Sequence, residues 1–132
     1  MKITSVKAFQ AHLPYVGGTY FWGRGHAIRN ALTTVIAVET DAGISGCGES
    51  CPIGGNYLAA YPEGVIPALA RLAPAVIGQD PRHLHRIEGL MDEALKGHPY
   101  AKSALDAACW DILGQDCGQP VSILLGGVLT DG

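Results

Sequence analysis

A long helical pattern between residues 97 and 127 dominates the distribution of apolar side chains. At 100° per residue, five apolar positions fall on one narrow stripe of this segment: Ala101, Ala104, Leu105, Ala108 and Ile112. A stripe of this width is typical of the side of a helix that packs on a core. The pattern therefore predicts one long helix that begins at Pro99 and is packed through these five residues.

The opposite side of this helix carries a second row at helical spacing: Ser103, Ala107, Trp110, Gly114 and Cys117. Its members are small except for one tryptophan, a side chain that buries a large apolar area when another element covers it. We expect no element of this chain to cover the row. In the isolated chain, Trp110 should therefore be exposed or buried in a self-association contact.

Three segments have the composition of β-strands. Residues 2–13 mix polar and apolar positions and end before Pro14, and residues 31–40 are rich in β-branched side chains. After Gly43 the chain resumes as ISGCGES, which predicts a hairpin between the second and third strands. The glycines of the third strand do not open a helix, as a dinucleotide-binding loop would. They predict a bulged strand that packs closely on another backbone.

Two further amphipathic helices are predicted ahead of the long one. The first has the apolar stripe Val65, Leu69, Leu72 and Val76, and the second has the stripe Leu84, Ile87, Met91 and Leu95. Pro74 should end or kink the first near Ala73. The second should have Asp80 as its N-cap and Pro81 at its first position. With a short fourth helix at residues 121–125, we predict an α+β domain: a three-stranded antiparallel sheet followed by a helical bundle.

Two glycine-rich segments have no regular period. Residues 15–30 are predicted to form a long mobile loop, and residues 50–61 a second loop that leads into the next helix. Long loops in a compact domain usually serve a function, so both are candidate binding elements. The alternative is that the first is a turn-rich connector whose aromatic residues are incidental.

The amino-acid composition excludes some classes of protein. The 132 residues are 48% hydrophobic and 16% charged with a net charge of −3. These values are typical of one globular domain and argue against a disordered chain or a basic nucleic-acid binder. Because the sequence has no apolar stretch of ~18 residues and no signal-peptide pattern, we expect no membrane association and a cytoplasmic location.

The four cysteines are predicted to be buried free thiols. Cys109 and Cys117 lie ~12 Å apart along one helix, beyond the reach of a disulfide. The spacings C-x3-C and C-x7-C also differ from those of zinc sites. The same spacing disfavours a small redox protein that uses Cys47 and Cys51. A pair between Cys51 and Cys109 stays open at this stage.

Several motifs of this chain resemble those of one enzyme family. They are AKSALD at 101–106, Trp110-Asp111-Ile112 with Gly114, GQPV at 118–121 and LLGG at 124–127. Their order and spacing are similar to those of the mandelate racemase and muconate lactonizing branch of the enolase superfamily. The pattern G-x-x-G-x-G-E at residues 43–49 also resembles the third strand of that family.

The resemblance implies that residues 1–127 are the N-terminal capping domain of such an enzyme. Residues 128–132 would begin the linker into a (β/α)7β barrel that is absent from this chain. Family members abstract a proton next to a carboxylate, and their base and Mg²⁺ ligands lie at barrel strand ends. The resemblance therefore implies a Mg²⁺-dependent racemase, epimerase or dehydratase of a small carboxylate substrate. We expect a homo-oligomer, with no catalytic residue or metal ligand in this chain, which alone should be inactive.

The charged residues of the chain are expected to have structural roles. Glu49, Asp106 and Asp111 lie in structural motifs, and single carboxylates on strands or helices are more often caps or ion-pair partners than metal ligands. The Lys-x-Lys pair of the family has no counterpart here. Lys102 is therefore not assigned as a catalytic base.

Three histidines near helix boundaries are also not assigned to a site. His83 and His85 are predicted to lie on a helix, where positions i and i+2 project to different sides, so they would form a surface pair. His98 is predicted to cap the long helix, and a contact with a neighbouring loop is the alternative.

Aromatic side chains of the two loops are the remaining candidates. In the family these loops fold over the barrel mouth and set specificity, so the resemblance implies substrate binding by Tyr20, Trp22 and Tyr57. CPIG at 51–54 and GHPYAK at 97–102 are most similar to the cis-3-hydroxyproline dehydratase and hydroxyproline betaine epimerase group, which implies a proline or betaine derivative as substrate. The alternative is that Tyr57 begins the following helix and packs on its own domain.

A second class of function is a free-standing binding or scaffold module derived from the capping domain. The two hypotheses differ in the length of the polypeptide, because only an enzyme needs a barrel with the base and the metal ligands after residue 132.

Overall fold

The computed structural model describes residues 1–127. Its strands are β1 (Ile3–Pro14), β2 (Tyr20–Trp22), β3 (His26–Ile28), β4 (Asn30–Thr40) and β5 (Ser45–Ser50). A 3-10 turn (Pro62–Gly64) is followed by the helices α1 (Val65–Val76), α2 (Leu84–Ala94), α3 (Pro99–Cys117) and α4 (Val121–Leu124). The expected linker at residues 128–132 lies outside the described residues.

The main sheet is antiparallel, with strand order β1-β4-β5, which confirms the predicted α+β architecture. Gly43 has φ +76° in the turn between β4 and β5, as the hairpin prediction requires. The predicted bulge in β5 is wrong, because its pairing with β4 runs without a shift from Thr34↔Ser50 to Glu39↔Ser45. The irregularity lies instead at the start of β1, between Ile3 and Ser5.

The segment 15–30 is not the irregular loop that we expected. It contains a second, two-stranded sheet in which β2 pairs with β3 and Trp22 lies opposite His26. Each strand has only three residues, which is too short to give a recognisable alternation. Gly25, with φ +77°, and Arg24, with φ +62°, form the left-handed turn that closes this hairpin.

The backbone of α3 lies directly against β5. A Cβ atom added at Gly46 would lie 2.1 Å from the carbonyl oxygen of Ala108, and one at Gly48 would lie 1.9 Å from that of Ala104. No residue except glycine therefore fits at either position without moving the helix. The prediction of close backbone packing at these glycines is confirmed.

Side chains of α3 also bond to the backbone of β5. The Asp111 carboxylate accepts the backbone N–H of Cys47 at 2.9 Å, and the Gln115 amide donates to the Ser45 carbonyl at 2.8 Å. Since β5 is at the edge of the sheet, these bonds satisfy peptide groups that no neighbouring strand can reach.

The core lies between the sheet and the three long helices. The predicted stripe of α3 is fully buried, which confirms its orientation: Ala101, Ala104, Leu105, Ala108 and Ile112 each have 0% exposure. The stripe of α1 is buried as predicted, as are Ile87 and Met91 of α2. No helix within residues 1–127 is both long and apolar enough to cross a lipid bilayer.

Of the two outcomes predicted at Pro74, an end or a kink of the helix near Ala73, the structure excludes the end, and the predicted start of the second helix is wrong. Helix α1 continues past Pro74 to Val76, because the proline lies near the end and leaves only the exposed Ala70 carbonyl without its helical partner. Helix α2 begins at Leu84 rather than after Asp80, so His83 is its N-cap and is not a helical neighbour of His85.

His98 occupies the N-cap position of α3, but its side chain does not cap the helix. Its backbone is left-handed, with φ +55°, and the ring nitrogen Nδ1 lies 3.0 Å from the Lys96 carbonyl. The expected side-chain cap is therefore wrong. A left-handed backbone turns the imidazole back toward the preceding residues instead of toward the free helix N–H groups.

All four cysteines are free thiols, so the open pairing of Cys51 with Cys109 is absent from the structure. Only Cys109 is buried, and burial raises the pKa of its thiol to about 12. Cys47, Cys51 and Cys117 are exposed, contrary to the expectation of four buried thiols.

Asp80 forms an ion pair instead of a helix cap. Its carboxylate accepts the Arg82 backbone N–H at 3.0 Å and lies 2.7 Å from the guanidinium, which also reaches Asp116 of α3 at 3.0 Å. The hydrogen bonds from the Arg82 side chain are the main cause that lowers the pKa of Asp80 from 3.8 to about 2. The pair therefore ties the start of α2 to the end of α3.

The contact between α3 and β5 predicts opposite effects for two glycine substitutions. Gly48→Ala should lower the free energy of unfolding by at least about 1–3 kcal/mol, because the new methyl group overlaps a helix carbonyl. Gly89→Ala is the matched control, since Gly89 lies inside α2 with no atom within 4 Å of an added Cβ. It should stabilise the protein by about 0.5–1 kcal/mol. Denaturant unfolding measures both, and equal effects would contradict the close approach.

The ion pair of Asp80 predicts a contribution to the free energy of unfolding that depends on pH. Because the folded pKa lies below the unfolded value, the stabilisation is complete above the unfolded pKa and is lost as the pH falls from about 4 to about 2. Asp80→Asn should lower the free energy of unfolding by about 1–2 kcal/mol at pH 7, and the difference should nearly vanish at pH 2. Glu93→Gln, on the exposed side of α2, is the control. A difference that persists unchanged to pH 2 would contradict this assignment.

Candidate functional site

The three aromatic residues chosen from the sequence lie together in the structure. The ring of Trp22 is stacked on that of Tyr20, with a centroid distance of 6.0 Å, and meets the ring of Tyr57 edge-on at 5.9 Å. Tyr20 and Trp22 belong to the β2–β3 hairpin, whereas Tyr57 belongs to the loop after β5. The structure therefore brings the two predicted loops into contact through these side chains, which we call the aromatic cluster.

Strand geometry explains how the hairpin side of the cluster is built. Tyr20 and Trp22 are two residues apart on β2 and so project to the same face, and His26 lies opposite Trp22 on β3. The rings continue in one row, because Tyr15 stacks on Tyr20 at 5.7 Å and His26 stacks on Trp22 at 5.5 Å. The row is thus Tyr15, Tyr20, Trp22 and His26 in order.

The loop side of the cluster is formed by a turn and not by a helix. The backbone N–H of Tyr57 donates to the Gly54 carbonyl at 3.0 Å, and the 3-10 turn ahead of α1 begins only at Pro62. The alternative that Tyr57 begins the following helix is therefore wrong. The preceding residue, Asn56, has its side-chain nitrogen 3.0 Å from Nδ1 of His26, which adds a polar contact between the loops.

The cluster combines exposed ring area with one buried polar atom. Tyr20 is 40% exposed and Tyr57 46%, so both rings offer surface to a ligand. The indole Nε1 of Trp22 is buried and has no hydrogen-bond partner within residues 1–127. Hydrogen bonding with Tyr57 is the main cause that raises the pKa of Tyr20 above its ordinary value. Such a surface can bind a cation against ring faces.

The three acidic residues to which the sequence analysis gave structural roles have contacts or surroundings that fit such roles. Glu49 accepts the Thr33 hydroxyl at 2.5 Å, and Asp111 accepts a backbone N–H of β5. Asp106 is half-buried on α3, where burial raises the pKa of its carboxyl and nearby Glu88 raises it further. Within residues 1–127, no group of three or more His, Cys, Asp or Glu side chains could hold a metal ion.

A groove of about 530 Å³ lies between α2 and α3, on the side that holds Trp110. Trp110, which is half-buried, and Met91, which is buried, line the groove. The ion pair of Lys102 with Asp92, at 2.5 Å, connects the two helices that form it. The expectation that no element of the chain covers this side of α3 is wrong at Gly114. An added Cβ there would lie 2.9 Å from the Gln119 carbonyl, because the chain folds back before α4.

Comparison with known proteins identifies the family of this chain. The family model for the mandelate racemase/muconate lactonizing enzyme N-terminal domain matches residues 24–126. The chain belongs to this family.

Relatives within the mandelate racemase/muconate lactonizing enzyme family have known activities. Cis-3-hydroxy-L-proline dehydratase of Roseibium aggregatum is 47% identical over 131 residues, which are 99% of this chain and 36% of that protein. N-succinyl-L-Arg/Lys racemase of Bacillus cereus is 34% identical over 129 residues, which are 96% of this chain and 34% of that protein. The chain thus spans about a third of the length of the curated relatives that it matches.

Solved structures of the family confirm the fold. One mandelate racemase/muconate lactonizing enzyme of Roseovarius nubinhibens superposes with a TM-score of 0.95 and 52% identity, covering 99% of this chain and 36% of that one. A second protein of the same organism, solved in complex with magnesium, has a TM-score of 0.95 and 42% identity, covering 98% of this chain and 35% of that one. The capping-domain prediction is therefore correct.

Sequence reasoning missed three residues that contact the aromatic cluster or one another across the loops: Tyr15, His26 and Asn56. A usable signal was present, because Tyr20 and Trp22 alternate and the Gly-Arg-Gly turn at 23–25 places His26 opposite Trp22. The contact of Asn56 joins residues 30 positions apart in two irregular segments, and no local pattern specifies such a pair.

Proposed function

We propose that this chain is the capping and specificity domain of a longer enzyme. The enzyme would be a racemase, epimerase or dehydratase that abstracts a proton next to the carboxylate of a small acid, with a proline or betaine derivative as the preferred substrate class. The observation that carries this proposal is the 47% identity to a cis-3-hydroxy-L-proline dehydratase along 99% of the chain. The 34% identity to an N-succinyl-L-Arg/Lys racemase keeps the reaction type open between dehydration and racemisation.

The aromatic cluster supports a role in enclosing the substrate. Its three predicted members, Tyr20, Trp22 and Tyr57, come from two separate loops and meet within about 6 Å of one another. A cationic nitrogen held against such rings gains about 0.5–2 kcal/mol for each favourable contact. Closing two loops over a small acid also excludes water, which strengthens the electrostatic interactions at the reacting carbon.

We propose that Mg²⁺ of the complete enzyme is bound outside this chain. A relative has been solved with magnesium, but the acids of residues 1–127 do not fit such a site. Asp111 is occupied by the edge of the sheet, Glu49 by Thr33, and no three potential ligands converge. The barrel domain implied by the family would supply these ligands and the base. The residues of this chain would then bind, orient and enclose the substrate.

We further propose a cytoplasmic location and a homo-oligomeric complete enzyme. Four free thiols, three of them exposed, suit a reducing compartment. Phe9, 59% exposed, and Leu13, 46% exposed, lie on the same face of β1, and apolar side chains in such a position suit a contact between subunits.

The length of the native polypeptide separates the enzyme from a free-standing binding module. The shares of the relatives covered by this chain, 36% and 34%, lead us to expect a native mass of roughly three times 13.8 kDa. Intact mass measurement of the protein from its natural source tests this directly. A native mass of 13.8 kDa would overturn the enzyme proposal and favour a binding or scaffold module.

Replacing Tyr57 by Ala in the complete enzyme tests the enclosure. A substrate contact should lower kcat/KM about two- to thirtyfold for a cationic substrate such as a proline betaine, and less than about twofold for a neutral-chain carboxylate. Tyr61→Ala is the matched control, because Tyr61 is an exposed aromatic residue of the same segment that packs on Tyr100 instead. Equal losses for both substrates, together with a lower Tm, would make Tyr57 a packing residue only.

A further inference from the structure

The two loops of the aromatic cluster are joined by side chains alone. Within residues 1–127, no backbone hydrogen bond connects the segment 15–29 to the segment 51–61, and the β2–β3 hairpin is a sheet separate from β1-β4-β5. The side-chain links are the edge contact of Trp22 with Tyr57, the hydrogen bonding between the side chains of Tyr20 and Tyr57, and the hydrogen bond between Asn56 and His26. The relative position of the loops therefore depends on these few groups.

His26 contacts both the Trp22 ring of its own hairpin and a side chain of the second loop. Its ring stacks on Trp22 at a centroid distance of 5.5 Å, and its Nδ1 lies 3.0 Å from the side-chain nitrogen of Asn56. Because an amide nitrogen can only donate, Nδ1 of His26 is the acceptor of this hydrogen bond. A stacked ring whose polar edge is held from the opposite loop has little freedom to rotate.

The buried indole nitrogen of Trp22 shows why the closed arrangement needs such a bond. Its N–H is removed from water and has no acceptor within residues 1–127. A buried donor without an acceptor opposes closure, because an open hairpin would let water satisfy it. The contacts between the loops must offset this cost whenever no ligand offers an acceptor to Trp22.

We propose that the His26–Asn56 hydrogen bond is a latch that holds the hairpin and the second loop together over Trp22. His26 and Asn56 are thus positioning residues, which act on the substrate through Trp22 and Tyr57. The hydrogen bond itself is present in the described structure. Its role in catalysis rests on the proposed function of the aromatic cluster.

Accessibility of Trp22 tests the latch without any substrate. Trp110→Phe leaves Trp22 as the only tryptophan of the chain, and its fluorescence is then quenched with acrylamide. In this background, Asn56→Ala should raise the quenching constant about two- to fivefold, because the loops separate more often. Asn56→Asp should restore the original value, since a carboxylate oxygen accepts from the other tautomer of His26.

Asn30→Ala is the matched control, because Asn30 is an exposed asparagine at the start of β4 and away from this contact. It should leave the quenching constant unchanged. A quenching constant that Asn56→Ala does not alter would overturn the latch. So would an increase that Asn56→Asp fails to reverse, because the change would then come from the loss of loop structure and not from the hydrogen bond.

Kinetics of the complete enzyme separate the latch from the proposed function. Asn56→Ala should raise KM about three- to tenfold and change kcat less than about twofold, with recovery in Asn56→Asp. An unchanged KM, in a protein whose Tyr57→Ala variant is impaired, would overturn the positioning role and leave the enclosure intact. If neither variant affects KM while quenching responds as expected, the latch stands and the enclosure of substrate is overturned.

Discussion

The fold depends on the approach of the α3 backbone to β5 at Gly46 and Gly48. With no side chain between them, helix and strand are close enough for a helix carboxylate, that of Asp111, to accept an N–H from the strand edge. The other contacts of α3 follow from this position. Its apolar stripe meets the core that α1, α2 and the sheet share, and Gln115 satisfies a second peptide group of β5.

The pairing of the main sheet determines where the two loops begin. β1 ends and β4 starts at the same end of the sheet, where Pro14 pairs with Asn30, and β5 ends beside them at Ser50. Thr33 donates its hydroxyl to Glu49 and lies within 3.3 Å of the Ser50 carbonyl, which fixes the root of the second loop. Both loops therefore leave the sheet on one side, and Trp22 of the first meets Tyr57 of the second.

The sequence predicts the parts of this structure that depend on repeated, local patterns. The stripe of α3, the β4–β5 hairpin and the glycines of β5 are each specified by spacing over many residues. The parts it mispredicts depend on single competing interactions. Asp80 could cap a helix, but the Arg82 guanidinium offers a stronger partner, and the strained backbone of His98 turns a potential cap away. The aromatic cluster and its contacts were predicted only in part, because the Asn56–His26 contact links two segments without a regular sequence pattern.

The core and the aromatic cluster are separate parts of this domain. Relatives that act as a dehydratase and as a racemase share 47% and 34% of their residues with this chain over nearly its whole length. The core tolerates few changes, since an added methyl group at Gly48 meets the backbone of α3. The rings of Tyr20 and Tyr57 are about half exposed, and each packs on the ring of Trp22. On the proposed function, substitutions there would alter the surface offered to a substrate while the contact between helix and sheet stays the same, so specificity would change without loss of the fold.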